Sequence, residues 1–330
     1  MDLQDFLNDW HNGSPTVPVH TSGSTGAPKP LRVEKRRMEA SARLTCDFLG
    51  LAPGDTALLC MPLDYIAGKM MVVRSLVRGL RLVSVKPSSR PLAGLDEAPV
   101  FAAMVPMQVA CSLHCAKERR LLMGIRHLII GGGAVDKALE KELRSFPNAV
   151  WSTYGMTETL SHIALRRLSG AGADSWYTPF TGVGVSLGAD GCLVIDAPLV
   201  CDGTLHTNDL AELHPDGRRF RILGRKDNVI NSGGVKIRME DVERLLSPHL
   251  RAPFVITKRR DARLGEAVAM VFEGKESDVR GIRAVCEKVL PEFWRPRTFV
   301  AVDKVPLTGT GKPARAEAQR MAEASTGNTI

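Results

Sequence analysis

Short apolar segments alternate with helix-forming segments from residue 56 to residue 153, and this alternation limits the fold more than any other feature. The apolar segments carry few polar positions, which is typical of parallel strands buried on both faces. A helix that follows Lys69 ends at Val77 with Gly79 just beyond, and a second helix is expected at 106–115. The alternation predicts a layered α/β domain. We expect its strands at 56–63, 82–85, 100–104, 127–130 and 149–153.

The segments on either side of this core predict a small β-rich subdomain and a small α+β C-terminal domain. Glycines and short alternating runs fill 166–204, which indicates the β-rich subdomain. We place the domain boundary between residues 226 and 227, giving a large domain at 1–226 and a mobile domain at 227–330. Outside the core we expect helices at 3–10, 33–49, 239–246 and 279–290, and strands at 17–20, 192–195 and 267–272.

Composition excludes several classes of protein. The sequence contains no run of eighteen apolar residues, so it predicts no transmembrane helix. The acidic N-terminus does not have the pattern of a signal peptide. Seven cysteines without metal-like spacing suit a reducing cytoplasm, where we expect the protein. The net charge of +8 is scattered and aromatic residues make up only 5%, so we expect polyanionic small molecules rather than nucleic acid as ligands.

A run of hydroxyl residues and glycines, followed by a lysine, occupies residues 21–29. It has little apolar surface, and its backbone N–H groups, hydroxyls and cation together suit a polyphosphate. It lacks the Gly-Lys-Ser/Thr ending of the Walker loop, and taken alone it could also be a Ser/Gly-rich linker. The candidate phosphate-binding residues are Thr21, Ser22, Gly23, Ser24, Thr25, Gly26 and Lys29.

Two further segments follow predicted strands. Three glycines come after the strand at 127–130, where they would let a ligand lie against the backbone. The strand at 149–153 runs into a Tyr-Gly-x-Thr-Glu string at 154–158. This string offers an aromatic face for a purine, a hydroxyl for a phosphate or carboxylate oxygen, and a carboxylate for a metal ion. A Thr-Glu pair alone would equally suit the start of a helix.

These motifs, in this order, resemble the signatures of the adenylate-forming superfamily, which includes acyl- and aryl-CoA ligases. The resemblance covers residues 20–313 and implies that the loop at 21–29 holds the phosphates of ATP. It also implies that Gly132, Gly133 and Ala134 border the adenine, against which Tyr154 stacks beside Gly155. By the same resemblance Thr157 contacts the α-phosphate and the acyl group, and Glu158 binds Mg²⁺.

The later motifs continue the resemblance. Asp209 stands where the superfamily binds the ribose, although this chain has Thr-Asn-Asp in place of the usual Thr-Gly-Asp. Arg225 is implied to reach the ribose or phosphate, and Asp227 to be the hinge of the C-terminal domain. The turn at Gly233 and Gly234 is implied to line the tunnel for the CoA thiol, and Lys312 to be the catalytic cation.

Residues 19–71 resemble most the short o-succinylbenzoate–CoA ligases of bacterial menaquinone biosynthesis. The implied reaction is adenylation of a carboxylate by ATP and Mg²⁺, followed by transfer of the acyl group to CoA. Another acyl- or aryl-CoA ligase, an adenylation protein that loads a carrier, and an inactive nucleotide-binding paralogue are the alternatives. The second carboxylate of such a substrate needs a polar partner, for which the candidates are Lys69, Gln108, His162 and Ser161.

The chain has only about twenty residues before the phosphate loop, whereas typical members of the superfamily carry a long N-terminal subdomain there. A shortened core would leave one face exposed. A homodimer that covers this face is therefore one hypothesis.

Overall fold

The computed structural model describes residues 1–20, 30–308 and 313–325. The chain divides into two compact units, one formed by 1–186, 194–206 and 213–221, the other by 187–193, 207–212 and 222–330. The helices and strands of the first part are α1 Leu3–His11, β1 Thr16–His20, β2 Pro30–Glu34, α2 Lys35–Leu49, β3 Thr56–Leu59, α3 Ile66–Arg78, β4 Arg81–Ser84, β5 Phe101–Met104, α4 Pro106–Leu113, α5 Ala116–Gly124, β6 His127–Ile130, α6 Lys137–Leu143, β7 Ala149–Gly155, β8 His162–Arg167, β9 Thr178–Pro179 and β10 Gly184–Leu187.

The first unit is built on a seven-stranded sheet in the order β4-β3-β5-β6-β7-β8-β9. The five strands β4, β3, β5, β6 and β7 are parallel to one another. Strand β8 pairs antiparallel with β7, and β9 pairs antiparallel with β8. Every residue of β5 is buried, and apolar side chains of α4, α5 and α6 pack against the sheet. Because both faces are covered, the strands read as short apolar runs. The predicted layered α/β core is confirmed.

Several predicted boundaries were wrong. The helix expected at 33–49 begins at Lys35, because Val33 pairs with Val17 in the hairpin of β1 and β2. The strand expected at 56–63 ends at Leu59, and Pro62 beyond it has no N–H group to donate. The helix expected at 106–115 ends at Leu113. The sequence reading also missed α5, which begins directly afterwards.

The remaining elements are β11 Cys192–Asp196, β12 Thr204–Leu213, β13 Phe220–Arg225, β14 Val229–Ser232, β15 Val235–Arg238, α7 Met239–Leu246, β16 Phe254–Asp261, β17 Gly265–Glu273, α8 Val279–Val289, β18 Thr298–Val302 and α9 Arg315–Ala324. Strands β10 to β13 form a four-stranded sheet in that order. Strands β10 and β11 lie within 166–204, the region expected to be β-rich, whereas β12 begins at its last residue and β13 lies beyond it. Residues of this sheet belong to both compact units. The domain boundary placed between residues 226 and 227 stays a prediction.

The second unit contains a five-stranded sheet. Strands β15, β14, β17 and β16 follow one another, and β18 pairs with β17 in parallel. Apolar residues of α7 and α8, among them Val242 and Cys286, pack with β17 in one buried cluster. Helix α7 has the predicted bounds, whereas α9 was not predicted. In the part of the chain that the structure describes, no helix is long and apolar enough to cross a membrane.

Candidate active site

The predicted phosphate loop connects β1 and β2. These strands pair antiparallel from Thr16 opposite Glu34 to His20 opposite Pro30, so the two ends of the loop lie side by side. Residues 21–29 themselves lie outside the described residues. The roles given to the residues from Thr21 to Lys29 therefore stay predictions.

The glycine run after β6 lies between the start of α4 and the end of β7. A side chain on Gly132 would come within 3.2 Å of Val105, and Gly132 also has a positive φ of 77°. On the other side, a Cβ atom on Gly131 would lie 2.5 Å from Oγ1 of Thr153. The run, which continues through Gly133 and Ala134, thus occupies the carboxyl-end edge of the parallel sheet, where α/β proteins bind ligands.

Tyr154 near the end of β7 belongs to an aromatic cluster. Its side chain is only 9% exposed, and its ring meets the ring of Phe220 edge-on at 5.0 Å between centroids. The ring of Tyr177 lies 5.8 Å away and stacks on Phe220. Stacking of Tyr154 on adenine stays a prediction, and these contacts show what else holds the ring.

The Thr-Glu pair lies on a tight turn. Thr157–Thr159 form one turn of 3₁₀ helix in which Thr157 is half-buried and Glu158 is exposed. The buried Oγ1 atom of Thr159 accepts a hydrogen bond from the N–H of Met156 and lies 2.7 Å from the carbonyl oxygen of Ser161. These contacts hold the turn, so the Glu158 carboxylate projects from a fixed backbone.

Gly155, directly before this turn, is required by a close approach of two strands. A Cβ atom at this position would lie 2.3 Å from the carbonyl oxygen of Ser161 and 2.4 Å from Cα of His162. The register of β7 and β8 shifts between Tyr154 and Gly155, which indicates a bulge. The glycine of the motif therefore brings Ser161 and His162 against the end of β7.

A buried arginine, Arg74 of α3, contacts Ser161 and was missed in the sequence. Its Nη2 atom donates to Oγ of Ser161 at 2.7 Å, and its Nη1 atom lies 3.7 Å from Sδ of Met71. Arg74 is 2% exposed, and its Nε atom has no hydrogen-bond partner among the described residues. Burial lowers the pKa of the Arg74 guanidinium to about 10. The sequence signal was the single charge within the otherwise uncharged run 70–77 of α3.

The four candidates for a second carboxylate separate into two groups. Ser161 and His162 lie with Arg74, the hydroxyl of Ser161 being 3.3 Å from Nδ1 of His162. Lys69 is buried elsewhere, donating to the carbonyl oxygen of Pro18 at 2.5 Å, and burial lowers the pKa of its amine. Gln108 donates to the carbonyl oxygens of two segments, Cys60 and Ser88. The polar atoms of these last two residues therefore support the backbone.

In the second unit, the predicted ribose and hinge residues are neighbours. Arg225 donates to Asp209 at 3.2 Å and to Asp227 at 3.0 Å. Asn208 also donates to Asp227, at 3.3 Å. Asp209 is mostly buried, whereas 57% of the side-chain surface of Asp227 is exposed. The structure thus brings Asp209, Arg225 and Asp227 into one charged group, with the unpredicted Asn208 as a member.

The predicted thiol-tunnel residues form the turn between β14 and β15. Gly233 and Gly234 have positive φ angles of 58° and 83°, as a two-residue hairpin turn of this kind requires. Lys312 lies outside the described residues. Leu307 and Pro313 pair across the segment that contains it, so this segment also begins and ends at adjacent points.

The chain is similar to proteins that form AMP. A family model described as "AMP-binding enzyme" matches residues 7–199. The structure of an acyl-CoA synthetase (AMP-forming)/AMP-acid ligase II-like protein from Dyadobacter fermentans is 34% identical, with a TM-score of 0.65. The match covers 95% of this chain and 92% of that one.

Curated relatives and further structures agree with this result. A 2-succinylbenzoate–CoA ligase of Bacillus cereus is 26% identical over 336 residues, which cover 92% of this chain and 70% of that protein. An o-succinylbenzoate CoA synthetase of Bacillus subtilis, solved with ATP and magnesium ion, is 22% identical with a TM-score of 0.74. The match covers 91% of this chain and 69% of that one, and it supports the fold alone.

Proposed function

The chain belongs to the AMP-binding enzyme family as an AMP-forming acid–thiol ligase, and we propose that the acid it activates is 2-succinylbenzoate. The products would be the succinylbenzoyl thioester of CoA, AMP and pyrophosphate, in the biosynthesis of menaquinone. The names of the relatives support this substrate, since several are 2-succinylbenzoate–CoA ligases at 25–26% identity.

The observation that carries the proposal is the buried guanidinium of Arg74. Among the described residues, its Nε atom has no hydrogen-bond partner and no carboxylate forms an ion pair with it. An unpaired buried charge costs several kcal/mol, so a ligand anion at this place would be strongly favoured. Arginine binds carboxylates in a planar, two-pronged arrangement. We assign the ring carboxylate of 2-succinylbenzoate to Arg74 and Ser161, which leaves the succinyl carboxylate for adenylation.

In the first step, the succinyl carboxylate forms a bond to the α-phosphorus of ATP, and the bond from this phosphorus to pyrophosphate breaks. A carboxylate is already ionised at neutral pH, so the chain supplies no general base. Its work is alignment of the two reactants and stabilisation of the negative charge that develops at phosphorus. We assign this work to the phosphate loop at 21–29, Thr157 and Lys312.

The residues present fit a magnesium ion held mainly by the nucleotide. In the described part of the chain, no group of three or more His, Cys, Asp or Glu residues could hold a metal ion by itself. Glu158 is exposed on the 3₁₀ turn and has no ion pair with the described residues. Mg²⁺ usually takes one or two protein carboxylates together with phosphate oxygens and water, where it neutralises charge on the phosphates. Glu158 would be its protein ligand.

In the second step, the CoA thiol attacks the acyl carbon, and AMP leaves. We assign the thiol path to Gly233 and Gly234, and the change of domain orientation to a hinge at Asp227, between a domain of residues 1–226 and one of 227–330. The contacts of Asp227 with Arg225 and Asn208 are exposed, and exposed ion pairs contribute about 0–1 kcal/mol. They would therefore resist rotation only weakly.

A ligase for a different acid is the second candidate. The protein from Dyadobacter fermentans favours it, because this relative of higher identity is described only as an acyl-CoA synthetase or AMP-acid ligase II-like protein. Such an enzyme would use the same two steps. Its acid would also need an anionic or strongly polar group to meet Arg74.

The test is incubation with ATP, Mg²⁺, CoA and 2-succinylbenzoate, with mass detection of the thioester. The monoacid 4-oxo-4-phenylbutanoate, which lacks the ring carboxylate, serves as the matched substrate. We expect Arg74→Met to lower kcat/KM for the diacid by at least about 30-fold, since losing one partner of a buried charge pair costs about 2–5 kcal/mol. Methionine should keep the fold, because an apolar side chain of similar size often replaces a buried charge without loss of stability.

Three other outcomes would contradict the proposal. An enzyme that forms thioesters from other acids but not from 2-succinylbenzoate would contradict the proposed substrate. Adenylate formation without transfer to CoA would indicate an enzyme that loads a carrier. Binding of ATP without turnover of any acid would indicate an inactive paralogue.

A further inference from the structure

Four hydrogen bonds connect Arg74 to the backbone of α2. Nη2 of Arg74 lies 2.7 Å from Oγ of Ser161, and this oxygen lies 3.3 Å from Nδ1 of His162. Nε2 of His162 lies 3.1 Å from Oγ1 of Thr45, which donates to the carbonyl oxygen of Ser41 at 3.2 Å. The series joins α3, the start of β8 and α2.

Proton counting gives every bond in the series one direction. A guanidinium only donates, so Oγ of Ser161 accepts from Arg74, and its own proton is available for Nδ1 of His162. The hydroxyl proton of Thr45 goes to the carbonyl oxygen of Ser41, so Oγ1 of Thr45 accepts from Nε2 of His162. Both conclusions require the same form of His162, the neutral ring with its proton on Nε2.

The surroundings favour this neutral form. His162 is 7% exposed, and its ring meets the ring of Phe180 edge-on at 5.5 Å. Burial, and secondarily the charge of Arg74, hold the pKa of His162 well below its usual value. Thr45 is completely buried. The imidazole is therefore a fixed acceptor for the hydroxyl of Ser161.

We propose that His162 and Thr45 are positioning residues for recognition of the second carboxylate. They turn the hydroxyl proton of Ser161 away from Arg74, so that a lone pair of Oγ faces Nη2 and holds the guanidinium with its Nε group unused. Without these contacts, the Ser161 hydroxyl could point its proton toward the Arg74 guanidinium and push the guanidinium out of place. This inference rests on the proposed function, in which Arg74 and Ser161 bind an anionic group of the acid.

The test compares kcat/KM for 2-succinylbenzoate with kcat/KM for 4-oxo-4-phenylbutanoate. The ratio of the two values reports recognition of the ring carboxylate, whereas general damage to the enzyme lowers both values together. We expect His162→Leu, which removes both ring nitrogens, to lower the ratio about tenfold, as expected for one hydrogen bond that supports a charged group. The loss should arise mainly from a higher KM for the diacid.

Conservative variants separate the two contacts of the ring. In His162→Asn, the side-chain amide oxygen of the asparagine can replace Nδ1 as the acceptor. This variant should therefore recover a ratio within about threefold of the wild type. Thr45→Val removes one hydroxyl without changing size, and we expect a smaller fall in the ratio than with His162→Leu. His127→Leu is the matched control, because His127 lies at the opposite, amino end of β6, and its ratio should not change.

Three results would overturn the inference. One is an equal fall for both acids in His162→Leu and Thr45→Val. Another is a ratio for His162→Asn as low as that of His162→Leu. The third is a full further effect of His162→Leu in a Ser161→Ala background.

If His162→Leu does not fold, Thr45→Val and His162→Asn decide the question. If the wild type and Arg74→Met both lack preference for the diacid, the proposed function fails. If Arg74→Met loses the preference that the wild type shows while the His162 and Thr45 variants keep it in full, only the positioning role fails.

Discussion

Arg74 and Ser161 are 87 positions apart in the chain, yet Nη2 of the first lies 2.7 Å from Oγ of the second. Ser161 also belongs to the end of the 3₁₀ turn, because its carbonyl oxygen lies 2.7 Å from Oγ1 of Thr159. One short segment therefore carries both the proposed metal ligand, Glu158, and the proposed contact for the second carboxylate. A change in this turn should affect adenylation and choice of acid together.

Glu158→Gln should weaken the dependence of adenylation on magnesium. A neutral amide is a poorer ligand for a hard cation than a carboxylate, so the Mg²⁺ concentration for half-maximal pyrophosphate release should rise by at least about tenfold. Thermal unfolding should be unchanged, because Glu158 is exposed. An unaltered magnesium curve would show that the protein ligand lies elsewhere.

Lys312→Ala should abolish adenylation with much less effect on thioester formation. A well-placed charge at the reacting phosphorus is worth about 3–4 kcal/mol, which corresponds to about 10²–10³ in rate. The half-reactions are measured separately, the first as pyrophosphate release and the second from pre-formed acyl-adenylate and CoA. Equal loss of both would mean that Lys312 is structural or serves both steps, and it would remove the reason for a hinge at Asp227.

Gly234→Leu should leave pyrophosphate release within about threefold of normal and lower thioester formation by at least about tenfold. A branched side chain on this turn would obstruct the thiol path, and the positive φ of 83° also strains any residue other than glycine. Gly217→Leu is the matched control, because Gly217 has a similar φ of 69° and equally open surroundings. If Gly217→Leu affects the thiol step as strongly, strain rather than obstruction is responsible.

Gly155→Ala should disrupt the end of β7. Its methyl group would fall 2.3 Å from the carbonyl oxygen of Ser161, so the start of β8 must move. We expect a loss of about 1–3 kcal/mol in the free energy of unfolding, measured in urea. Turnover of 2-succinylbenzoate should fall more than turnover of 4-oxo-4-phenylbutanoate. Gly94→Ala has nothing within 4 Å of its new methyl group and should change neither value. Normal activity of Gly155→Ala would contradict the close approach.

The free energy of unfolding should fall as the pH drops from 7.5 to 5.5. The folded protein holds the pKa of His162 far below the ordinary value near 6.5, so only the unfolded chain takes up a proton in this range. The pKa of His127 is also lowered, by burial and by Arg126, and acts in the same direction. For His162 alone the slope approaches about 1.4 kcal/mol per pH unit below the unfolded pKa.

His162→Asn should have a shallower slope over the same pH range, since asparagine does not titrate. Urea unfolding at several pH values measures both proteins, and the range stays above the ordinary pKa values of carboxyl groups. Identical slopes for the wild type and the variant would show that His162 becomes protonated in the folded protein. This result would also remove the neutral acceptor on which the positioning role depends.

Local sequence determined the elements whose reasons are local. Helix α7 and strand β6 have their predicted bounds, and the turn at Gly233 and Gly234 lies between two short strands as expected, because hydrophobic period and turn residues act over a few positions. The order of motifs along the chain likewise determined the family. The helix predicted from Val33 failed at its start, since pairing with β1 overrode the helical pattern.

Tertiary structure alone decided how the polar residues are used. In the sequence, Lys69 and Arg74 are two cations five positions apart on one helix, and of these two only Lys69 is among the four candidates for the second carboxylate. The fold directs Lys69 to the backbone of β1 and Arg74 to Ser161, because successive turns of α3 face different neighbours. Which partner a buried charge meets depends on packing between segments far apart in the chain. A local pattern of residues does not show which distant segments pack together.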